Sequence, residues 1–246
     1  MTSDNTLKEQ LKKESEDFIN LRFWDTYYYS SNLLRKRYEE NIPLHLNKSK
    51  NKKYRILDYG CGVRPYEYIF EPFKETYTGI DVGENAHADV IIDPDGRIPF
   101  EDEEFDVVLS SQVLEHVEDS DNYLSECKRV LKPGGLLILS THGTWQFHSH
   151  PVDIQRWTSM GLKRLITKAG FNVTGFVPVL GQLALTSQLR LTFYDSFVKH
   201  VFKPLIILYY PLSVVYQLKM RLEDMITPQR VKERDSAYYL VFATKN

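Results

Sequence analysis

The sequence predicts an α/β domain, a mainly parallel sheet with helices on both faces. Three observations lead there. Short apolar runs alternate with amphipathic helical segments from residue 54 to residue 177. A turn with two glycines, Tyr59-Gly60-Cys61-Gly62, directly follows the first run. Three runs meet an acid at their ends, at Asp58, Asp81 and Asp93. The 246 residues suffice for one large domain with an insert, and 42% hydrophobic content fills a core. Two cysteines, Cys61 and Cys127, form neither a disulfide framework nor a CxxC metal site. They fit a reducing cytosol. Residues 1–20 are polar where a signal peptide is apolar.

The elements follow in order. Residues 1–50 read as a helical cap rich in aromatics (Phe18, Phe23, Trp24, Tyr27, Tyr28, Tyr29), broken by Asn41, Pro43 and the Asn/Lys run 47–53. Arg55 to Asp58 is the first strand, and 65–73 suits a short helix. Tyr77 to Asp81, Ala88 to Ile92 and Phe105 to Leu109 are the next three strands. Residues 120–131 form a helix with Leu124, Cys127, Val130 and Leu131 on one face, stopped by Pro133-Gly134-Gly135. Leu136 to Ser140 is the fifth strand. Thr158 caps a helix that ends at Gly170. Phe171 to Val177 and Ala237 to Thr244 close the domain, which runs from 51 to 246 with a helical insert at 181–235.

Parallel sheets of this kind bind ligands beyond the carboxyl ends of their strands. The candidates are therefore Asp58 to Gly62, Asp81, Asp93, Ser110 to Gln112, and the residues from Thr141 onward. Glycines at 60 and 62 let backbone approach a ligand. The third glycine of a dinucleotide turn is replaced by Arg64, followed by Pro65. A carboxylate at Asp58 repels phosphate but suits an ammonium or sulfonium. Asp81 lies about 20 residues after the turn, the spacing of an acid that takes ribose hydroxyls.

These segments resemble one family. Ile56 to Gly62 is similar to the first motif of class I methyltransferases that use S-adenosylmethionine (SAM), and Tyr77 to Asp81 to its second-strand motif. Ile98 to Val108, Val113-Leu114-Glu115-His116-Val117 and Leu131 to Gly135 resemble the segments that follow, in the family's order. His150 to Asp153 and Arg156-Trp157-Thr158 resemble segments of methyltransferases that accompany cell-surface polysaccharide synthesis. The resemblance implies a seven-stranded Rossmann-like sheet with its last strand antiparallel. It also implies roles: Gly60 and Gly62 against the cofactor's amino-acid part, with Asp58 orienting the loop toward the ammonium. Asp81 takes the ribose hydroxyls, Asp93 (or Asp95) the adenine amino group, and Ser111 faces the methionine part.

Methylation of a hydroxyl needs a base. His142, His148, His150 and Asp153 lie beyond the fifth strand, and His150 oriented by Asp153 is the first choice, with His148 next. His116 reads as a structural hydrogen-bonder. The histidines lack a carboxylate partner at ligand spacing, so no metal is expected.

Charge is uneven: residues 1–53 carry 11 Lys/Arg against 8 Asp/Glu, residues 190–234 carry 8 against 4, and the remainder 12 against 21. The apolar run 201–216 contains two prolines and is shorter than the ~20 residues of a spanning helix. Basic residues from Lys199 to Arg221 flank it, as in a segment lying at a membrane interface; a lid packed on the domain or a dimer contact is the competing reading. The expected protein is cytoplasmic, peripheral at the inner membrane face, and methylates a small or lipid-linked acceptor, with glycans among the candidates. No nucleic-acid partner is expected, because Ser110-Ser111-Gln112 stands where an Asn/Asp-Pro-Pro-Tyr-like motif would be. The rivals are a nicotinamide-dependent oxidoreductase and a non-catalytic scaffold with a SAM-binding fold.

Overall fold

The structure is a computed structural model that describes residues 20–47, 52–147 and 152–246. Seven strands form one sheet: β1 (Tyr54–Tyr59), β2 (Lys74–Val82), β3 (Val90–Ile92), β4 (Phe105–Ser111), β5 (Leu131–His142), β6 (Phe171–Gly181) and β7 (Ser236–Lys245). Their spatial order is β3-β2-β1-β4-β5-β7-β6. β1 to β5 pair in parallel, and β7 runs antiparallel to both β5 and β6. β1 and β4 are buried almost throughout because helices cover both faces, which explains their near-continuous apolar runs. One face packs Ile56, Phe70, Ile138 and Phe242; the other packs Leu57, Phe105, Val108, Leu124 and Leu139.

The helices are α1 (Tyr28–Leu46), α2 (Glu67–Phe70), α3 (Ser120–Val130), α4 (Ser159–Lys168), α5 (Gln182–His200), α6 (Ile206–Ile226) and α7 (Gln229–Arg234). Asp119 caps α3 by accepting from Asn122 N at 2.9 Å. Thr158 caps α4 by accepting from Gly161 N at 3.0 Å.

Local boundaries differ from expectation in three places. α1 does not break at Asn41 or Pro43 but continues to Leu46. Its buried stripe, Ser30, Leu34, Tyr38, Ile42 and Leu46, recurs every four residues, so stopping early would expose two apolar anchors. Asn47 N still donates to Pro43 O at 3.0 Å, so the proline's missing N–H is tolerated near the end. The helix over 65–73 shrinks to one turn, α2. Pro133-Gly134-Gly135 does not stop α3; the chain is extended from Leu131, which pairs with Phe105, and the Pro-Gly-Gly segment forms an irregularity within β5. Gly134 takes φ +72 there.

β6 ends on the same edge of the sheet as β1, β4 and β5, and α5 and α6 leave from that edge. Polar side chains fasten them to the start of α1 and to the segment preceding it. The Tyr209 and Thr26 hydroxyls lie 2.6 Å apart, Gln217 Oε1 accepts from Tyr29 N at 3.0 Å, and Gln188 Nε2 donates to Thr26 O at 2.9 Å. Among the described residues no helix is long and apolar enough to cross a membrane.

Candidate active site

The turn after β1 is held by Gly60 N and Cys61 N, which donate to Ile80 O at 2.9 and 3.1 Å. Gly60 adopts φ +76 and Gly62 φ +51, the left-handed region that favours glycine. The two glycines differ in what surrounds them. A Cβ on Gly60 would meet Val113 Cγ2 at 2.5 Å, so Gly60 is required by packing against the segment after β4. The Cβ direction of Gly60 is therefore closed by Val113, and its expected contact with a ligand would be through the backbone. Gly62 has nothing within 4 Å of its Cβ position and is the open wall of the turn.

Asp81 ends β2 beside that wall. One carboxylate oxygen accepts from Gly62 N at 3.0 Å and Asn85 Nδ2 at 2.7 Å; the other accepts from Val82 N at 2.8 Å. The carboxylate thus ties the turn to β2 while remaining half-exposed. Asp58 is buried, 2% exposed, and accepts from the Tyr77 hydroxyl at 2.6 Å. Burial raises its pKa to about 7 despite the lowering pull of Tyr77 and Arg64, with nearby Asp81 raising it further. Arg64, at the third-glycine position, pairs with Asp89 at 2.5 Å and spans Gly79, where a Cβ would meet its Nε at 2.8 Å. Arginine here braces β2 instead of opening a phosphate cradle.

Asp93 is exposed past β3, and Asp95 accepts from Arg97 N at 3.0 Å. Both line an open groove of about 640 Å³ with Ile92, Ile98 and Phe100. Ser111 closes β4 and meets the N-terminal helix. The Tyr38 hydroxyl lies 3.1 Å from Ser111 Oγ and 2.7 Å from Ser140 Oγ. α1 therefore reaches across the carboxyl edge of the sheet.

His148 and His150 lie outside the described residues. Asp153 pairs with Arg156, whose Nη2 lies 2.5 Å from its Oδ2 and also donates to Gln146 O at 2.7 Å, which fixes the start and end of that loop. Next to it stands a pair that the sequence reading did not single out. His142 Nδ1 lies 2.7 Å from Glu115 Oε1, and both side chains are buried. Thr141 Oγ1 donates to Glu115 Oε2 at 2.8 Å, and Ile154 N and Gln155 N donate to Glu115 O. Burial pushes the Glu115 carboxyl up, but His142 and the hydrogen bonds outweigh it and hold the group below its ordinary range. Trp145 stacks on His142 at 5.8 Å and Tyr238 lies 5.1 Å from it, an aromatic wall that Tyr27 extends, 6.3 Å from Trp145. Glu115 and His142 are 27 residues apart, so spacing gave no sign of the pair. Among the described residues no group of three metal-ligating side chains converges.

Sheet order, a single antiparallel strand between β5 and β6, a glycine turn after β1 and an acid ending β2 define an α/β fold built around a nucleoside-bearing cofactor. A family model described as a methyltransferase domain matches residues 57–139. A ubiquinone biosynthesis O-methyltransferase of Methylococcus capsulatus is 31% identical over 121 residues, 39% of this chain and 50% of the relative. The crystal structure of a SAM-dependent methyltransferase from Mesorhizobium loti superposes with a TM-score of 0.52 at 17% identity, covering 86% of this chain and all of that one. The [4+2]-cyclase SpnF superposes with a TM-score of 0.54 at 19% identity, covering 85% of this chain and 80% of that one. Residues 57–139 thus match a methyltransferase domain, and the sheet is similar to that of the class I SAM-dependent methyltransferases, whose cofactor is SAM. It spans about half the length or less of the first curated relatives it matches.

The described residues fit that cofactor. An open left-handed glycine, a half-exposed carboxylate beside it and a buried acid behind the turn match a ligand with ribose hydroxyls and an ammonium on its amino-acid end.

Proposed function

We propose that the protein transfers a methyl group from SAM to a hydroxyl, or a similar nucleophile, of a small or lipid-linked acceptor. Bound SAM supplies a methyl group activated by its sulfonium. Gly62 and the turn around it would hold the amino-acid end, with Asp58 facing the ammonium through the loop. Asp81 would take the ribose hydroxyls, Asp93 or Asp95 the adenine amino group, and Ser111 the methionine part. The protein's work is then to hold the acceptor in line, exclude water and remove a proton.

The observation that carries the hydroxyl reading is the buried Glu115–His142 pair at the carboxyl edge. With the Glu115 carboxylate beside Nδ1, Nε2 is the nitrogen that would take the acceptor's proton. Trp145 and Tyr238 orient the ring and shield it from water. The relatives named ubiquinone biosynthesis O-methyltransferases support acceptors of the phenol class, which suits an aromatic wall. Lipid-linked glycans are the second acceptor class. His150 and His148 remain candidates for the same proton, with Asp153 a few residues on in the sequence.

The test uses labelled SAM with panels of small phenols, sugar nucleotides and glycolipids. His142→Ala should lower turnover by about two to four orders of magnitude with SAM affinity unchanged. Full activity in that variant would remove His142 from the mechanism. SpnF, named as a cyclase, shows why the fold alone does not settle chemistry. A folded protein that binds SAM and methylates nothing across the panel would favour the scaffold reading.

A further inference from the structure

We propose that the outer face of the α5–α6 pair docks on an anionic lipid surface. The docking gives a purpose to the lipid-linked acceptor above and rests on that reading only for its purpose.

α6 is inverted relative to an ordinary surface helix. Its buried face includes Ser213, Gln217 and Asp224, fastened to α1, to the segment before it and to the end of β6. Its outward face carries Ile207, Leu208, Val215, Leu218, Leu222 and Met225, with Ile207 76% and Leu208 64% exposed. Polar residues inward and apolar residues outward suit a helix whose outer medium is not water.

Between the two helices runs an open apolar groove of about 330 Å³, walled by Phe193, Phe197, Leu208 and Leu212. Its shape and chemistry suit a hydrocarbon chain.

Charge selects the occupant. His200 at the end of α5, Lys203 between the two helices and Arg221 on α6 are exposed. Asp195 pairs with Lys199 at 2.8 Å, and Glu223 pairs with Lys219. The balance over 190–234 is 8 basic residues against 4 acidic. Such a rim complements anionic headgroups, whereas a second copy would set like charges against each other. α6 lacks the hydropathy to span, so the face lies on the bilayer and does not cross it. Docking sets the carboxyl edge of the sheet, from which both helices emerge, toward the membrane surface.

The experiment is sedimentation of the full chain with vesicles of equal parts phosphatidylcholine and phosphatidylglycerol, and with phosphatidylcholine alone. Binding is expected to the anionic vesicles, to weaken with salt, and to be lost in Ile207→Glu/Leu208→Glu. Leu205 is not used, because it packs against the core. Lys203→Gln should lower partitioning ~5-fold. SAM titration of the same double variant must match wild type, which separates docking from cofactor binding. Wild type left in the supernatant at low salt, or sedimentation unaffected by the double substitution, overturns the proposal. So does a stable dimer that the same substitutions dissolve and that ignores vesicles.

Discussion

Asp58 should release a proton when the cofactor binds. In the unliganded protein burial holds its pKa at about 7, so about half the molecules carry a neutral acid there at pH 7. The α-ammonium of the ligand's amino-acid end, placed near the turn, favours the carboxylate and returns the pKa toward the ordinary value of 3.8. Binding at pH 7 should therefore release about half a proton per site, and affinity should fall about tenfold from pH 8 to pH 6 as the ionised fraction shrinks. Calorimetry with S-adenosylhomocysteine reads both effects. The apparent enthalpy in Tris and in phosphate should differ by about half the difference between the buffers' ionisation enthalpies. Asp58→Asn should abolish that difference and flatten the pH profile. Without ligand the sign follows from the raised pKa: the neutral acid belongs to the folded state. Its stabilisation is complete below pH 3.8 and disappears as pH rises through about 7, a change on the order of 4 kcal/mol. Buffer-independent binding enthalpies in wild type, with affinity equal at pH 6 and 8, would refute the assignment of Asp58.

Three further outcomes are expected. Asp81→Ala should weaken SAM binding tenfold to more than a hundredfold, since a charged hydrogen-bond acceptor is worth about 1.5–3 kcal/mol; unchanged affinity in a folded variant would remove Asp81 from the ribose site. Gly62→Val should lose SAM binding while circular dichroism stays near wild type, whereas Gly60→Ala should lower thermal stability through the contact with Val113 and the left-handed backbone; normal SAM binding by Gly62→Val would place the cofactor elsewhere. Glu115→Gln should depress turnover and shift the pH–rate profile, while His150→Ala and His148→Ala should leave the rate within a few-fold of wild type. A collapse of rate in His150→Ala with His142→Ala active would move the base to the loop histidine.

The succession of strands along the chain was legible because β1, β4 and β5 carry apolar runs each bounded by a turn, and because the glycine turn and Asp81 mark two carboxyl ends. Local propensity misled where tertiary burial overrode it. Pro43 stays helical because Ile42 and Leu46 are anchored, and Leu131 is extended because β4 offers it a partner. The groups proposed to hold the cofactor sit within one turn and the next strand end, where a reading of the sequence can find them. The groups proposed for the acceptor half were harder to find, since Glu115, His142 and Tyr238 come from three separate segments and meet only through the fold. Gly60 and Gly62 look alike in sequence and differ only in their neighbours.

Titration of the purified protein with SAM and, separately, with NAD is the most direct measurement. One-site SAM binding that Asp81→Ala weakens at least tenfold, with no heat from NAD, is the expected result. A folded protein that binds NAD, or that takes up no SAM at any accessible concentration, would contradict the cofactor site built on Gly62 and Asp81.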